Sequence, residues 1–412
     1  MSLKFVRFLL DTYVNPAKQD IVLYSICKLV GISRKRFVHG SLGRVDVFRS
    51  SRFLVGSQKF SPKMTATAVT DDTWENLVKP TTGFWFEEEV TEDFSVKIRI
   101  ESMEHHSKSD FQDVQIITTS EFGRTLVLDH KTQSAARDEH IYHESLVHPA
   151  LMMHPNPKNV YIGGGGEMGT AREILKHKSV EKCIMVDIDQ VVCDLALTHL
   201  KQWSEGVNED PRFQLFCEDA KAHLEQDTDT MYDVIIMDIA DPIEAGPGIA
   251  LYTRDFYKFA VSRLNVGGII VTQSGPGSHF NVQSECCTTI SRTLRSVFDH
   301  VYTYCSDIPS FGSNWAFNIA TGVERITADM ASEDVAINTL AEDVGKDLTY
   351  SLTGRTIAEI DQTIDERCVD GTILKFYDGV THLGVFGLTK EIRTSLKNET
   401  RIMTLENPVF MH

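Results

Sequence analysis

One stretch, Val160-Tyr161-Ile162-Gly163-Gly164-Gly165-Gly166-Glu167, decides the fold class that this sequence predicts. The apolar run leads into four glycines and a glutamate, and residues 170–175 then have a helix-forming composition. A strand, a glycine-rich turn and a helix in this order are typical of α/β proteins that hold nucleotide-like ligands. Glu167 is unusual there, because a helix N-terminus favours anions and a carboxylate repels a phosphate. The stretch therefore predicts a nucleoside ligand that carries a positive charge.

The sequence downstream of this stretch alternates short apolar runs with helix-like segments. The runs begin at Lys182, Phe213, Asp233 and Gly267. This alternation predicts a parallel, doubly wound sheet with helices on both faces. Residues 300–304 and 315–320 read as a closing antiparallel pair, which is typical of class I methyltransferase-like Rossmann sheets. We therefore predict an α/β protein of that class, with further helices and loops packed on the sheet after Ile326.

The sequence upstream of the stretch has a different pattern. Residues 94–100, 114–117 and 125–129 are short β-type runs separated by turn-forming residues, and residues 139–154 have helical spacing. We therefore expect a small antiparallel β domain at residues 81–138. The Rossmann-like catalytic domain, with a C-terminal extension, is expected at residues 139–412.

Charge is distributed unevenly along the 412 residues. The chain has a net charge of −17, but residues 1–63 hold 12 basic and 3 acidic residues, a net +9, which leaves −26 for the rest. We expect residues 1–80 to be a basic, disordered leader; a transit peptide, a structured domain, or sequence upstream of a true start at Met64 are the alternatives. The acidic remainder argues against nucleic acid as a partner and favours small cations.

The eight cysteines include no CxxC pair, and no apolar run is long enough to span a membrane. Free thiols indicate a reducing compartment. We therefore expect a cytoplasmic protein without a membrane association, or an organellar one if the leader is a transit peptide.

Acidic residues follow four of the predicted parallel strands. They are Glu167, Asp187, Glu218 with Asp219, and Asp238 with Asp241. In an open α/β sheet, ligands bind beyond the carboxyl ends of the strands, so these side chains are expected around one site. A single acid after a strand is often only a turn or cap residue, but a set of them around one loop is much more specific.

This acidic rim distinguishes between nucleoside ligands. NAD would bring a pyrophosphate to the loop, whereas a sulfonium nucleoside is a cation. The carboxylate of S-adenosylmethionine would lie near Glu167, but the decarboxylated form ends in an ammonium and fits best. A polyamine is then the natural acceptor, because it is a multiply charged cation, and Asp238 can take the proton of its attacking amine.

Two other classes of protein share parts of this pattern. A methyltransferase that uses S-adenosylmethionine has the same fold, but Glu167 and the pair Asp238 and Asp241 argue against it. A polyamine-binding sensor would not need the acids at Asp187 and Asp219. The histidines near residues 140–154 lack zinc-site spacing, so no metal is predicted.

From about Trp85 onward, the chain resembles the polyamine aminopropyltransferases. The matching motifs are Phe111-Gln112-Asp113, residues 133–139, Tyr142-His143-Glu144, Gly164-Gly165-Gly166-Glu167, Ala171-Arg172-Glu173, Asp187-Ile188-Asp189-Gln190, Asp219-Ala220-Lys221, Asp238-Ile239-Ala240-Asp241-Pro242, Gly246-Pro247 and Leu251-Tyr252-Thr253. The resemblance implies transfer of an aminopropyl group from decarboxylated S-adenosylmethionine to a polyamine. It also implies a homo-oligomer, either a dimer or a tetramer, with contacts through the N-terminal β domain.

The resemblance also assigns roles to individual residues. Asp238 would be the proton acceptor. Contacts with the polyamine, or control of the depth of its pocket, would come from Tyr142, Asp241, Glu244 and Phe311. The nucleoside would be held by the glycines and by residues that line the aminopropyl arm, the ribose or the adenine: Gln112, His143, Gly164, Gly165, Gly166, Glu167, Asp187, Asp219 and Ala220.

A smaller set of residues indicates the subfamily. Spermidine synthases usually read Tyr-Gln-Glu, Gly-Gly-Gly-Asp-Gly-Gly and Asp-Ser-Ser-Asp-Pro at three of these motifs. This chain has His143, Glu167 and Ile239-Ala240 instead, as thermospermine synthase-like sequences do. The acceptor implied is spermidine, with 5′-methylthioadenosine released; a spermidine or spermine synthase with the same mechanism is the alternative. Met168 replaces a loop glycine of the family.

Overall fold

The computed structural model describes residues 83–91, 94–242, 246–277, 286–322 and 355–411. The predicted leader at residues 1–80 lies outside these described residues, and so does Glu244.

The N-terminal part is a five-stranded antiparallel sheet whose strands pair in chain order. Its strands are β1 (Phe84–Thr91), β2 (Phe94–Lys108), β3 (Asp113–Thr119), β4 (Gly123–Leu128) and β5 (Lys131–Ala135). This confirms the predicted antiparallel β unit. The polar sequence of β5 carries no strand pattern, so this strand was not predicted. It forms because its backbone pairs with β4, from Thr125 opposite Ala135 to Leu128 opposite Lys131.

The second sheet has seven strands in the order β11-β12-β10-β9-β6-β7-β8. Their bounds are β6 (Asn159–Gly164), β7 (Lys182–Asp187), β8 (Phe213–Cys217), β9 (Tyr232–Asp238), β10 (Leu264–Pro276), β11 (His300–Ile308) and β12 (Ser313–Thr321). Strand β12 is antiparallel to both of its neighbours, and strands β6 to β10 pair in parallel. This confirms the methyltransferase-like order and the late antiparallel pair.

The central strands of this sheet send alternate side chains to two separate apolar cores. Val160 and Ile162 of β6 belong to one core, and Tyr161 belongs to the other. Helices cover both faces: α1 (Glu139–Met153), α2 (Gly169–Leu175), α3 (Gln190–His199), α4 (Ala220–Gln226), α5 (Arg254–Val261) and α6 (Cys286–Arg295). Burial on both faces explains why the strands read as continuous apolar runs in the sequence.

Helix α1 contains a proline that removes one backbone donor. Pro149 has no N–H, so it cannot bond the carbonyl of Ser145 four residues earlier. The hydroxyl of Tyr304 on β11 donates to that carbonyl instead, at 2.8 Å. The helix therefore stays continuous because a neighbouring strand satisfies the freed group.

Three helices follow in the C-terminal extension: α7 (Ile357–Arg367), α8 (Gly379–Val385) and α9 (Lys390–Asn398). Helix α7 begins at a capping box, in which Thr356 and Glu359 satisfy each other's backbone N–H groups. The extension is attached to α1 through Glu144, whose buried carboxylate accepts the backbone N–H groups of residues 375, 376 and 377 at 2.8 Å each. Helices and loops packed on the sheet were predicted after Ile326, and residues 323–354 of that region lie outside the described residues.

Two features bear on the environment of the protein. Among the described cysteines, free thiols are found at Cys183, Cys193, Cys217, Cys305 and Cys368. In the same residues, every helix is too short or too polar to cross a lipid bilayer.

Candidate active site

The glycine-rich loop joins β6 to α2 at the carboxyl edge of the parallel sheet. Gly164 and Gly165 have φ angles of +87° and +77°, which L side chains rarely adopt. A Cβ on Gly164 would also lie 2.1 Å from the carbonyl oxygen of Asp238. Met168 occupies a left-handed conformation too, with φ of 71°, as expected where relatives have glycine. The loop therefore approaches the end of β9 as closely as its backbone permits.

A cavity opens beside this loop, between the carboxyl ends of the strands and the N-terminal sheet. It is lined by most of the residues that the sequence singled out: Gln112, Tyr142, Gly164, Gly165, Gly166, Glu167, Asp187, Asp219, Ala220, Asp238, Asp241 and Phe311. Other wall residues had no site role in the prediction, although two of them belong to motifs quoted above; they are Thr132, Gln133, Leu251, Gln273 and Trp315. The structure thus brings together residues that lie up to about 200 positions apart in the chain.

Asp238 lies at the centre of the cavity wall, at the end of β9. Its Oδ1 accepts the hydroxyl of Tyr142 at 2.5 Å, and its Oδ2 accepts the hydroxyl of Thr170 at 2.6 Å. Burial and the nearby Glu167 raise its pKa to about 6, while His143 and the two hydroxyl donors hold the pKa down. Asp238 is therefore ionised at neutral pH, yet basic enough to accept a proton.

Glu167 is held from behind by a buried chain of ionic groups. Its Oε1 is 3.2 Å from Nε2 of His143, and Nδ1 of His143 is 2.7 Å from Oε2 of Glu139. Arg172 binds both carboxylate oxygens of Glu139, at 3.1 and 2.8 Å. Burial opposes a charge on His143, but hydrogen bonds to Glu139 and Glu167 outweigh it and raise its pKa to about 10. His143 is thus an imidazolium that orients Glu167.

The structure places one predicted site residue behind the cavity wall. His143 was expected to line the aminopropyl arm, but its side chain is fully buried and lies behind Glu167. Gly169 packs directly on the ring, since a Cβ there would lie 2.3 Å from Cε1 of His143. The residues that fix this position, Glu139 and Arg172, were missed as functional residues. Glu139 is four residues before His143 on α1, and that spacing is the signal that could have found it.

His143, Glu167 and Asp238 offer three ligand atoms within 4.8 Å of one another, a spacing that could hold a metal ion. Both ring nitrogens of His143 already contact carboxylates, and the ring is protonated at neutral pH. A protonated imidazole has no lone pair to donate to a metal. The chemistry of this donor set therefore favours an organic cation over a metal ion.

Asp187 at the end of β7 faces the loop. Its Oδ2 accepts the N–H of Gly166 at 2.9 Å, and its Oδ1 accepts the N–H of Asp189 at 2.8 Å. Burial raises its pKa to about 7, with a further contribution from Glu167. Gln112 reaches the same region from the N-terminal part, because its Nε2 donates to Asp189 at 2.7 Å. The N-terminal sheet region and the parallel sheet are therefore joined by a hydrogen bond at the rim of the cavity.

The next strand end supplies Asp219 and Ala220. Asp219 caps α4, since its Oδ1 accepts the N–H of Ala222 at 2.7 Å. The carbonyl of Ala220 accepts the hydroxyl of Tyr161 at 2.6 Å. Both residues line the cavity, so the capping role and a ligand-facing position coexist at this strand end.

The other end of the cavity combines one carboxylate with aromatic walls. Oδ1 of Asp241 accepts Nε2 of Gln273 at 3.1 Å, and burial raises the pKa of Asp241 to about 6. The rings of Tyr142 and Phe311 have centroids 5.8 Å apart, and those of Phe311 and Trp315 are 4.7 Å apart. This end can thus bind a charged nitrogen and pack against methylene groups.

The charge of the cavity has one sign. Carboxylates lie at five positions of its wall, at Glu167, Asp187, Asp219, Asp238 and Asp241, whereas the described lining residues include no lysine, arginine or histidine. Such a site attracts cations and repels phosphates. The fold is that of the methyltransferase-like class of transferases, and the charge of the cavity favours a cationic ligand.

Comparison with known proteins identifies a family within this class. Residues 139–329 match the Spermine/spermidine synthase domain family, and residues 84–135 match the Spermidine synthase tetramerisation domain family. A polyamine aminopropyltransferase of Aeropyrum pernix is 37% identical over 79% of this chain and 95% of its own length. Thermospermine synthase ACAULIS5 of Arabidopsis thaliana is 38% identical over 80% of this chain and 87% of its own.

Solved structures agree with this relationship. A spermidine synthase in complex with the transition state analogue AdoDATO superposes with a TM-score of 0.63 at 25% identity, covering 77% of this chain and 96% of that one. The spermidine synthase of Thermotoga maritima gives a TM-score of 0.62 with the same coverage. The chain belongs to the polyamine aminopropyltransferase family, and it is an enzyme that transfers aminopropyl groups.

Thr170, which the sequence did not single out, gives a direct test of the Asp238 site. Replacing Thr170 by valine removes a donor to Oδ2 of Asp238, which raises the pKa of that carboxyl. A base works only when ionised, so the acidic limb of the pH profile of kcat/KM is expected to move to higher pH. Thr170→Ser keeps the hydroxyl and should leave the limb unmoved. An unchanged limb in the valine variant would argue against Asp238 as the titrating group.

Proposed function

We propose that this enzyme transfers the aminopropyl group of decarboxylated S-adenosylmethionine to spermidine, with thermospermine and 5′-methylthioadenosine as products. The observation that supports this proposal is the charge of the cavity, because its five carboxylates would face two substrates that are both cations. The sulfonium nucleoside carries a positive sulfur and a terminal ammonium, and spermidine carries several ammonium groups. Both therefore gain electrostatic attraction in the same site.

The donor is assigned to the side of the glycine-rich loop. The ribose is proposed to bind the carboxyl of Asp187, and the adenine is proposed to lie against Asp219 and Ala220. Gln112 is proposed to line the aminopropyl arm. Glu167, oriented by the imidazolium of His143, is proposed to bind the terminal ammonium of the aminopropyl arm. A carboxylate on the donor would repel Glu167, so the decarboxylated form is preferred over S-adenosylmethionine.

The acceptor is assigned to the end that Asp241, Phe311 and Trp315 form. Asp241 is proposed to bind an ammonium group, while the aromatic rings pack against methylene segments and can also attract the cation. Tyr142 stands between this end and Asp238, with its hydroxyl fixed on the Asp238 carboxylate. An acceptor chain that passes Tyr142 would bring a nitrogen to the catalytic carboxylate.

The reaction then needs only alignment and one proton transfer. The lone pair of the acceptor nitrogen attacks the methylene carbon next to sulfur, the carbon–sulfur bond breaks, and its electron pair neutralises the sulfonium. Asp238 takes the proton that the nitrogen loses. The carboxylate is suited to this step because its pKa of about 6 leaves it ionised at neutral pH. The sulfonium is already a good leaving group, so orientation contributes most of the remaining acceleration.

Spermidine is proposed as the acceptor on three kinds of support. The chain carries His143, Glu167 and Ile239-Ala240, as thermospermine synthase-like sequences do. The relative from Arabidopsis thaliana with 38% identity is named a thermospermine synthase. At the position where spermidine synthases usually have a polyamine-contacting tyrosine, this chain has Phe311, whose ring gives the cavity an apolar wall.

The test is a product assay. The purified enzyme is incubated with decarboxylated S-adenosylmethionine and either putrescine or spermidine, and the tetraamine isomers are separated by chromatography. Thermospermine from spermidine, with slower turnover of putrescine, is the expected result. Spermidine from putrescine as the only product would make the chain a spermidine synthase, and spermine as the only tetraamine would make it a spermine synthase. Either outcome would overturn the acceptor proposal.

We further propose a homo-oligomer assembled through the N-terminal sheet. Residues 84–135 match a tetramerisation domain family, and the sheet exposes large apolar side chains, including Phe84, Phe94 and Met103. Exposed apolar side chains grouped on one element are typical of subunit contacts. Light scattering of the purified enzyme would give the number of subunits, and a monomer would contradict the proposal.

A further inference from the structure

Residues 401–411 form neither a helix nor a strand, yet they are held along the face of the sheet that α5 and α6 cover. We call these residues the C-terminal strap. Two bonds between backbone groups attach the strap: Arg254 N donates to Met403 O at 2.9 Å, and Met411 N donates to Pro242 O at 2.8 Å. Two further bonds join its backbone to side chains: Met403 N donates to Thr293 Oγ1 at 2.9 Å, and Cys286 Sγ donates to Val409 O at 3.6 Å. The strap therefore runs from helices α5 and α6, at Met403, to the residues that follow β9, at Met411.

The last of these bonds lies next to the acceptor end of the cavity. Pro242 directly follows Asp241, and its carbonyl takes the N–H of Met411. The side chain of Met411 reaches the same place, because a Cβ added to Gly275 would lie 3.4 Å from Sδ of Met411 and 3.7 Å from Oδ1 of Asp241. Met411 and the Asp241 carboxylate thus border the same glycine at the end of β10.

The strap also packs on the apolar core beside the segment that carries both acids. Met403 belongs to the apolar core on this face of the sheet, and Val409, Met411 and Ile239 pack against it. Ile239 lies between Asp238 and Asp241 in the chain. Backbone and side-chain contacts of the strap therefore converge on the segment that presents Asp241.

We propose that Met411 is a positioning residue for the acceptor, because its backbone N–H and its side chain hold residues 241 and 242 in the place from which Asp241 binds the polyamine. This proposal rests on the proposed assignment of Asp241 to the acceptor. The family match ends at residue 329, so the strap lies beyond the matched catalytic region.

The physical argument concerns how the Asp241 carboxylate is oriented. Its side chain accepts Nε2 of Gln273, and that amide nitrogen also donates to the carbonyl of Ile239 and to the hydroxyl of Tyr252. Within the part of the chain that the structure describes, this shared donor is the one side-chain hydrogen bond to the Asp241 carboxylate, so the backbone at residues 241 and 242 contributes to its orientation. On that backbone, the carbonyl of Pro242 is held by Met411. The donor side is held separately by Gly166 and Asp187, so loss of the strap should weaken only acceptor binding.

The test compares Met411→Pro with Met411→Leu. Proline removes the N–H that donates to Pro242, whereas leucine keeps the N–H and most of the apolar volume. The proline variant is expected to raise KM for the polyamine about tenfold, with KM for decarboxylated S-adenosylmethionine unchanged. The leucine variant is expected to keep both values near those of the wild type. A merely structural role would lower kcat or the melting temperature without separating the two KM values.

A second variant guards against misfolding at this position. A chain that ends at Pro408 lacks the whole contact, and it should show the same selective increase in the acceptor KM. The positioning role is wrong if the acceptor KM stays within twofold of the wild-type value in both the Met411→Pro variant and the truncated chain. It is also wrong if the KM values for the acceptor and for the donor nucleoside rise together. All assays use the acceptor that the wild-type enzyme prefers. Failure of the proposed function would appear in the wild type, and failure of the strap proposal only in the variants.

Discussion

Replacing Asp238 by asparagine is expected to lower kcat by about 10²- to 10⁴-fold, the usual contribution of a general base. Asparagine has nearly the same shape and can still accept a hydrogen bond from Tyr142 or Thr170 through its single carbonyl oxygen. It cannot take the proton from the attacking amine. The donor nucleoside should therefore still bind, because its proposed contacts at Asp187, Asp219 and Glu167 remain. Steady-state kinetics with saturating substrates and calorimetry of nucleoside binding measure the two effects separately.

A matched control for this variant is Asp241→Asn, which removes a carboxylate from the same segment. Asp241 is proposed to bind the acceptor without taking its proton, so its loss should act mainly on KM for the polyamine. Loss of kcat only in the Asp238 variant would distinguish the two roles. If Asp238→Asn turned over normally, or if both variants lost kcat equally, Asp238 would have no special place in the proton transfer.

The second large effect concerns the choice of donor. Glu167→Gln is expected to weaken binding of decarboxylated S-adenosylmethionine by about 10- to 150-fold, since a hydrogen bond to a charged group contributes about 1.5–3 kcal/mol. Binding of S-adenosylmethionine should improve or stay unchanged, because the repulsion between its carboxylate and Glu167 disappears. The preference of the wild-type enzyme for the decarboxylated form should therefore shrink in this variant. Isothermal titration of both nucleosides gives the two dissociation constants.

Asp187→Asn is the control for a general loss of nucleoside binding. The ribose is common to both nucleosides, so this variant should weaken both to the same extent. Tight binding of S-adenosylmethionine by the wild-type enzyme, with weak binding of the decarboxylated form, would contradict the assignment of Glu167. A uniform loss for both nucleosides in Glu167→Gln would mean that the residue only supports the loop.

The orientation of the Glu167 carboxylate depends on residues that a sequence pattern does not reveal. Hydrogen bonds to Glu139 and Glu167 keep His143 charged, and Arg172 binds Glu139 on its other side. His143 then orients Glu167 from inside the protein. The sequence suggested that His143 lines the cavity, because it follows Tyr142 in a family motif. On a helix, however, consecutive residues point about 100° apart, so Tyr142 faces the cavity while His143 faces α2. This detail required the packing of α1 against α2.

The acids at the strand ends were predictable for a simple reason. Parallel strands all place their carboxyl ends at one edge, so residues after Ile162, Val186 and Met237 must lie near one another whatever the loops do. The same rule does not apply to Thr170 or Gln273. Their contacts with Asp238 and Asp241 depend on the first turn of α2 and on the register between β9 and β10.

The sequence by itself determined the sheet, the glycine-rich loop and the sign of charge in the site. These follow from local periodicity, from the backbone freedom of glycine and from the common edge of parallel strands, all of which are properties of short segments. The tertiary structure decided that β5 is a strand, that His143 lies behind Glu167, and that Met411 reaches Pro242. Each of these depends on contacts between segments far apart in the chain, whose relative position is set by packing of the two cores.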